Sequence, residues 1–145
     1  MRQKMKRLKQ MLTEHEGLKQ HGYVVDGKLH IGVGRNIQEG SGLGLSLDEI
    51  DMLLDNDITI CMRELAQNFA WFKELDEVRQ EVCIMMAFNL GLPRYKLFAK
   101  HIQALSEGDF AEGAIQMLDS LWAKQLPARA QVLAKMMESG KYPDE

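Results

Sequence analysis

The sequence predicts an α+β fold: a small N-terminal lobe carrying a β-hairpin, a long linking helix, and an all-helical remainder. Three observations carry this. Asp26-Gly27 stands between two short runs with β character, Tyr23-Val24-Val25 and Leu29-His30-Ile31. Both residues of an Asp-Gly pair tolerate positive φ, the mark of a tight hairpin turn. Ser46-Leu47-Asp48-Glu49 then opens a helix as a capping box. After Asn68 apolar residues recur at helical spacing, and the whole chain holds only 3 prolines.

The elements follow in order. Met5, Leu8, Met11 and Leu12 share one face of a helix over residues 3–15, with Lys and Arg on the other. That helix ends near Glu16, where Gly17 supplies a stop. The hairpin spans 22–37, with a third short strand expected over Ile31–Val33. Gly32 and Gly34 remove side chains where a ligand or another backbone comes close. Gly-x-Gly without the rest of the dinucleotide fingerprint, and outside a βαβ unit, does not signal a nucleotide. Residues 36–45 hold three glycines and read as a flexible loop.

Ile50, Leu53, Leu54, Ile58, Cys61, Met62 and Leu65 form an apolar stripe on the linking helix. It should run to about Gln67, roughly 30 Å at 1.5 Å per residue. Val78–Leu90 is nearly continuous in apolar residues and is expected to be buried all round, with Gly91 and Pro93 ending it. Further helices are expected over Tyr95–Leu105, Asp109–Leu118, a short piece around Trp122, and Pro127–Ser139. Pro127 suits a first helical turn, where its missing N–H costs nothing. Residues 1–145 therefore read as one domain, with a first lobe over 1–46, a linking helix over 47–67 and a helical lobe over 68–145. The N-terminal helix has room to pack on the last.

A net charge of −3 argues against a dedicated nucleic-acid binder, which would be basic. No run approaches the roughly 20 apolar residues that cross a bilayer, so stable membrane insertion is not expected. The basic start (Arg2, Lys4, Lys6, Arg7, Lys9) is not followed by the apolar segment of a signal peptide, so a cytoplasmic chain is expected. Those cations read as a solvated helix face, with an anionic envelope as the functional alternative. Cys61 and Cys83 fall in apolar positions and read as buried reduced thiols. No cluster has metal-ligand spacing, so neither metal nor cofactor is expected. Trp71 and Trp122 read as core.

The chemistry gathers near the N-terminus. Glu16 stands at a helix end, a poor place for a negative charge because the exposed carbonyls there are already partly negative. Such a site favours the proton-donating form that general acid catalysis needs. Asp26, on the facing hairpin, would be a second carboxyl. Two carboxyls flanking a bond is the arrangement of glycoside hydrolysis, although Asp-Gly is also simply good turn chemistry. His30 can accept a proton near neutral pH, or attack carbon directly, and is the other candidate.

Several motifs together resemble the phage-type lysozymes, the endolysins related to the T-even lysozyme. They are His15-Glu16-Gly17-Leu18, Tyr23, Gly27-Lys28-Leu29-His30-Ile31-Gly32-Val33-Gly34-Arg35-Asn36, Asp48-Glu49 through Asn56-Asp57-Ile58, Leu75-Asp76-Glu77-Val78-Arg79, Phe88-Asn89-Leu90-Gly91, and Ser120 to Gln125 with Arg129-Ala130. They occur in family order over nearly the whole chain. The resemblance implies a monomeric muramidase acting on peptidoglycan glycan strands, held in the host cytoplasm until holin-mediated release. It implies a cleft between lobes and Glu16 as general acid. The family's hairpin acid falls on Val25, with Asp26 next to it. The family's water-holding threonine falls on His30. Arg129 matches an arginine that pairs with the catalytic Glu, and Asn89 and Gln125 match substrate-binding cleft positions. Two alternatives remain: a transglycosylase, and a non-enzymatic wall-binding protein that kept the fold.

Overall fold

A computed structural model describes residues 2–145, with side chains from Met5 onward. The side chains of Arg2 and Lys4, two of the five early cations, lie outside the described residues. Among the described residues the chain is α+β, with one three-stranded antiparallel sheet, eight α-helices and a short 3-10 helix, Phe72–Glu74. Two compact units form, one up to Leu53 and one over Leu54–Glu145.

In the first unit, α1 (Arg2–Glu16) stops where Gly17 adopts φ +81°. The Gly17 amide donates to the Thr13 carbonyl at 2.9 Å, closing the last turn. β1 (Lys19–Val25) and β2 (Lys28–Gly32) pair antiparallel with Val25 opposite Lys28. Asp26 and Gly27 are left as the turn, at φ +52° and +75°. Positive φ at both positions twists the backbone to match the strands. The register shifts between Lys19 and Tyr23, a local irregularity in β1.

β3 (Arg35–Asn36) pairs with the other edge of β2, Ile31 opposite Arg35. This corrects the third strand expected over Ile31–Val33: Ile31 and Gly32 belong to β2. Gly32 and Gly34, at φ +69° and +67°, turn the chain back before pairing resumes. The loop expected to be flexible is closed on itself. The Gln38 amide donates to Asn36 Oδ1 and the Leu43 amide to the Asn36 carbonyl, both at 2.9 Å. Gly42 sits so tightly over Asn36 that no β-carbon would fit.

α2 (Leu47–Asn68) opens with the expected capping box. The Glu49 amide donates to Ser46 Oγ at 3.1 Å, and the Ser46 amide donates to Glu49 Oε1 at 2.8 Å. The same Oε1 accepts from Arg35 Nη1 at 2.6 Å, and Arg35 Nη1 also donates to the Gly44 carbonyl at 3.0 Å. The third strand is thus tied to the start of α2.

The second unit holds α3 (Glu77–Leu90), α4 (Leu92–Tyr95), α5 (Ala99–Ser106), α6 (Phe110–Leu118), α7 (Leu121–Gln125) and α8 (Pro127–Ser139). Its core is built on Leu65, Val82, Cys83, Met86, Leu105 and Met117. Asp76, Asp109 and Ser120 cap α3, α6 and α7 by accepting first-turn amides. Pro127 occupies the first turn of α8. Arg79 Nε and Nη2 donate to the Met137 and Glu138 carbonyls at 2.6 and 2.8 Å, finishing the last turn of α8. Its guanidinium lies 3.9 Å from the centre of the Phe110 ring.

Two helices differ from expectation. α3 is not buried all round: Met85 and Phe88 are 40% and 50% exposed, and burial follows Val82, Cys83, Met86, Ala87 and Leu90. Apolar residues on both faces hide which stripe faces the core. The helix expected over Tyr95–Leu105 breaks at Phe98, whose ψ of +56° separates α4 from α5. The break lets Tyr95 and Phe98 stack, centroids 6.3 Å apart at 18°. Cys61 and Cys83 are buried free thiols, and burial pushes the Cys83 thiol up to about 12. No described helix is long and apolar enough to cross a membrane.

Candidate active site

Glu16 is the last residue of α1 and is exposed. Its carboxyl lies against the turn between β2 and β3. A β-carbon built at Gly34 would stand 2.9 Å from Glu16 Oε2 and 3.3 Å from its Cβ and Cδ. Within the first unit, then, a helix end and a glycine turn meet at one carboxyl group.

His30 lies on β2 directly opposite Tyr23, ring centroids 5.7 Å apart and tilted by 34°. Its Nδ1 is 2.8 Å from the Lys28 carbonyl. A carbonyl only accepts, so Nδ1 carries the proton, and in the neutral ring Nε2 keeps its lone pair. That is the tautomer a general base needs, with the ring held in place by its own strand.

Asp26 is exposed at the tip of the hairpin. It and Glu16 are at opposite ends of β2: the five residues Lys28–Gly32 separate the Asp-Gly turn from the turn at Gly34. At about 3.3 Å per residue, four steps put about 13 Å of strand between the two turns. His30 stands between them. Val25, where the family's hairpin acid would fall, ends β1 opposite Lys28.

The other expected site residues lie in the second unit. Asn89, on α3, accepts from the indole N–H of Trp122 at 2.9 Å, so its carbonyl oxygen secures a core tryptophan. Gln125 ends α7 on the rim of a groove of about 520 Å³ lined also by Leu90, Arg94, Phe98, Lys100 and Trp122. Arg129 is exposed in the first turn of α8.

Three participants were not anticipated from sequence. Tyr23, noted only as a matching residue, faces His30. Arg35 ties β3 to Glu49, and no local signal pairs residues 14 apart. The Ser46 amide, then Arg35, hold the Glu49 carboxyl at about 2, down from 4.5. His101, buried beside the groove, bonds through Nδ1 to the Gly113 carbonyl at 3.0 Å and through Nε2 to the Tyr95 hydroxyl at 3.1 Å. Nδ1 must donate to the carbonyl, so Tyr95 donates to Nε2. Burial pushes His101 below its ordinary value.

A helix ending in a carboxylic acid, an antiparallel three-stranded ribbon against it, and a mostly helical remainder make up an α+β, lysozyme-like fold. The chain is similar to two curated proteins of Dictyostelium discoideum. It is 26% identical to probable T4-type lysozyme 1 over 160 residues, 92% of this chain and 94% of that protein. It is 24% identical to probable T4-type lysozyme 2 over 99 residues, 66% of this chain and 58% of that protein. No family model matches the chain. Both likenesses support a T4-lysozyme-like family at low identity, and with it a lysozyme-type glycosidase activity at the family level.

Proposed function

We propose that the protein is a muramidase that hydrolyses the β-1,4 bond between N-acetylmuramic acid and N-acetylglucosamine in peptidoglycan, with Glu16 as general acid. The observation that carries this reading is the seating of the Glu16 carboxyl at a helix end against Gly34, on a ribbon whose His30 keeps a free lone pair. Glu16 gives its proton to the glycosidic oxygen as the carbon–oxygen bond breaks. His30 Nε2 takes a proton from the water that attacks the anomeric carbon. The placement of His30 supports it over Asp26 for that step, because it stands on β2 between the Asp-Gly turn and the turn at Gly34 that meets Glu16. Asp26 then acts only by stabilising positive charge at longer range. Asn89, Gln125 and Arg129 are assigned substrate-binding roles by resemblance alone, as are the endolysin role and holin-mediated release.

The test is release of reducing ends from purified peptidoglycan. Glu16→Gln should lose at least about 10²-fold in rate, the usual worth of a general acid. Full activity in that variant would overturn the reading. His30→Ala should lose more than Asp26→Ala, and the reverse order would return the base to Asp26. The free lone pair of His30 also favours a second reading, direct attack on the anomeric carbon. Nε2 would displace the leaving sugar, protonated by Glu16, and water would then break the Nε2–carbon bond; the two displacements keep the starting configuration, which NMR of freshly released sugars reads directly.

A further inference from the structure

We propose that Gly34 is a positioning residue of this site: its missing β-carbon is what seats the Glu16 carboxyl. The inference rests on the reading of Glu16 as general acid and deepens it. Gly34 has φ +67°, which alone would explain a glycine. Gly32, two residues earlier, makes the comparison possible. It has nearly the same backbone, φ +69°, yet its imagined β-carbon meets nothing within 4 Å. At Gly34 the same atom would press on three atoms of Glu16, the nearest being Oε2 at 2.9 Å. One glycine satisfies the backbone only; the other also leaves space for the acid.

The closest contact, with Oε2, falls on the far end of a flexible side chain, while Cδ and Cβ at 3.3 Å need give only by a few tenths of an ångström. Glu16 relieves it by rotating its carboxyl, which costs little stability but moves the proton donor. Reaction rates are far more sensitive than stability to such a shift: about 1 Å of misplacement costs about 10²-fold. An added methyl at position 34 therefore acts on catalysis, and at position 32 only on the backbone.

The experiment compares Gly34→Ala, Gly32→Ala and Glu16→Gln on purified peptidoglycan, with thermal melting of each. Both alanine variants should lose similar melting temperature, since both hold a β-carbon at positive φ. Gly34→Ala should lose about 10²-fold in kcat with KM within about twofold, and the alkaline limb of its kcat–pH profile should move. Gly32→Ala should keep both its kcat and its profile. If Glu16→Gln is inactive but Gly34→Ala tracks Gly32→Ala, this inference falls and the general-acid reading stands. If Glu16→Gln is fully active, both fall. If Gly34→Ala does not fold while Gly32→Ala does, the double variant Gly34→Ala with Glu16→Ala decides. Recovered folding supports the contact, and no recovery overturns it.

Discussion

Residues up to Leu53 and residues from Leu54 onward use their side chains differently. Every buried residue among those described lies at or beyond Cys61. Before it, order comes from backbone turns and polar ties: Gly17 at the end of α1, the Asp26-Gly27 turn, and the Arg35–Glu49–Ser46 knot. Apolar burial is worth about 25 cal/mol per Å² and adds up over a core. Polar ties at a half-exposed surface contribute about 1 kcal/mol or less each. The helical unit should therefore set global stability, while the ribbon should open locally at lower cost. The proposed proton donor belongs to the unit with less to lose.

The widest gap should appear on carving a cavity. Met86→Ala, at a fully buried position, should cost about 2–5 kcal/mol in denaturant unfolding. A cost as small as that of a ribbon substitution would erase the contrast. Next comes Arg79→Ala, which strips two carbonyl bonds from the end of α8 and should cost about 2–3 kcal/mol. Arg79→Lys keeps the charge but not the two-pronged geometry, and should recover less than half.

A third effect sharpens the comparison through pH. Burial depresses His101 below its ordinary 6.5. Below that pH the unfolded chain takes up a proton that the folded chain refuses, so stability must fall as pH drops. The slope approaches about 1.4 kcal/mol per pH unit for one proton. Melting curves from pH 7 to 5 should show this loss, and His101→Gln should flatten it.

The smallest effect is in the ribbon. Glu49 is lowered from 4.5 to about 2, so its tie is present above 4.5 and is lost as pH falls towards 2. Amide protection factors over residues 35–49, taken relative to the intrinsic rate at each pH, should fall across that window, with little change in global melting. Glu49→Gln should show the lower protection already at neutral pH.

The sequence was most legible where geometry is local. The Asp-Gly turn, the Ser46–Glu49 box, the Gly17 stop and Pro127 each act within a few residues, and all appear as read. It was least legible where the answer depends on distant partners. The third strand moved because two glycines in positive φ turn the chain before it pairs. The break at Phe98 brings its ring onto Tyr95, a contact that helical spacing does not encode. In the candidate site, the type of residue at 16, 26 and 30 pointed to acid–base chemistry. The length of β2, which separates Asp26 from the turn at Gly34, and the bond that fixes the His30 tautomer needed coordinates.

Arg79 is joined to carbonyls 58 and 59 positions further along. During synthesis the guanidinium therefore emerges from the ribosome well before its acceptors exist. Until Glu138 has cleared the exit tunnel, α3 lacks the partner that closes the helical unit. The stable half of the molecule should be the last to commit, leaving the nascent helices in need of shelter while translation continues.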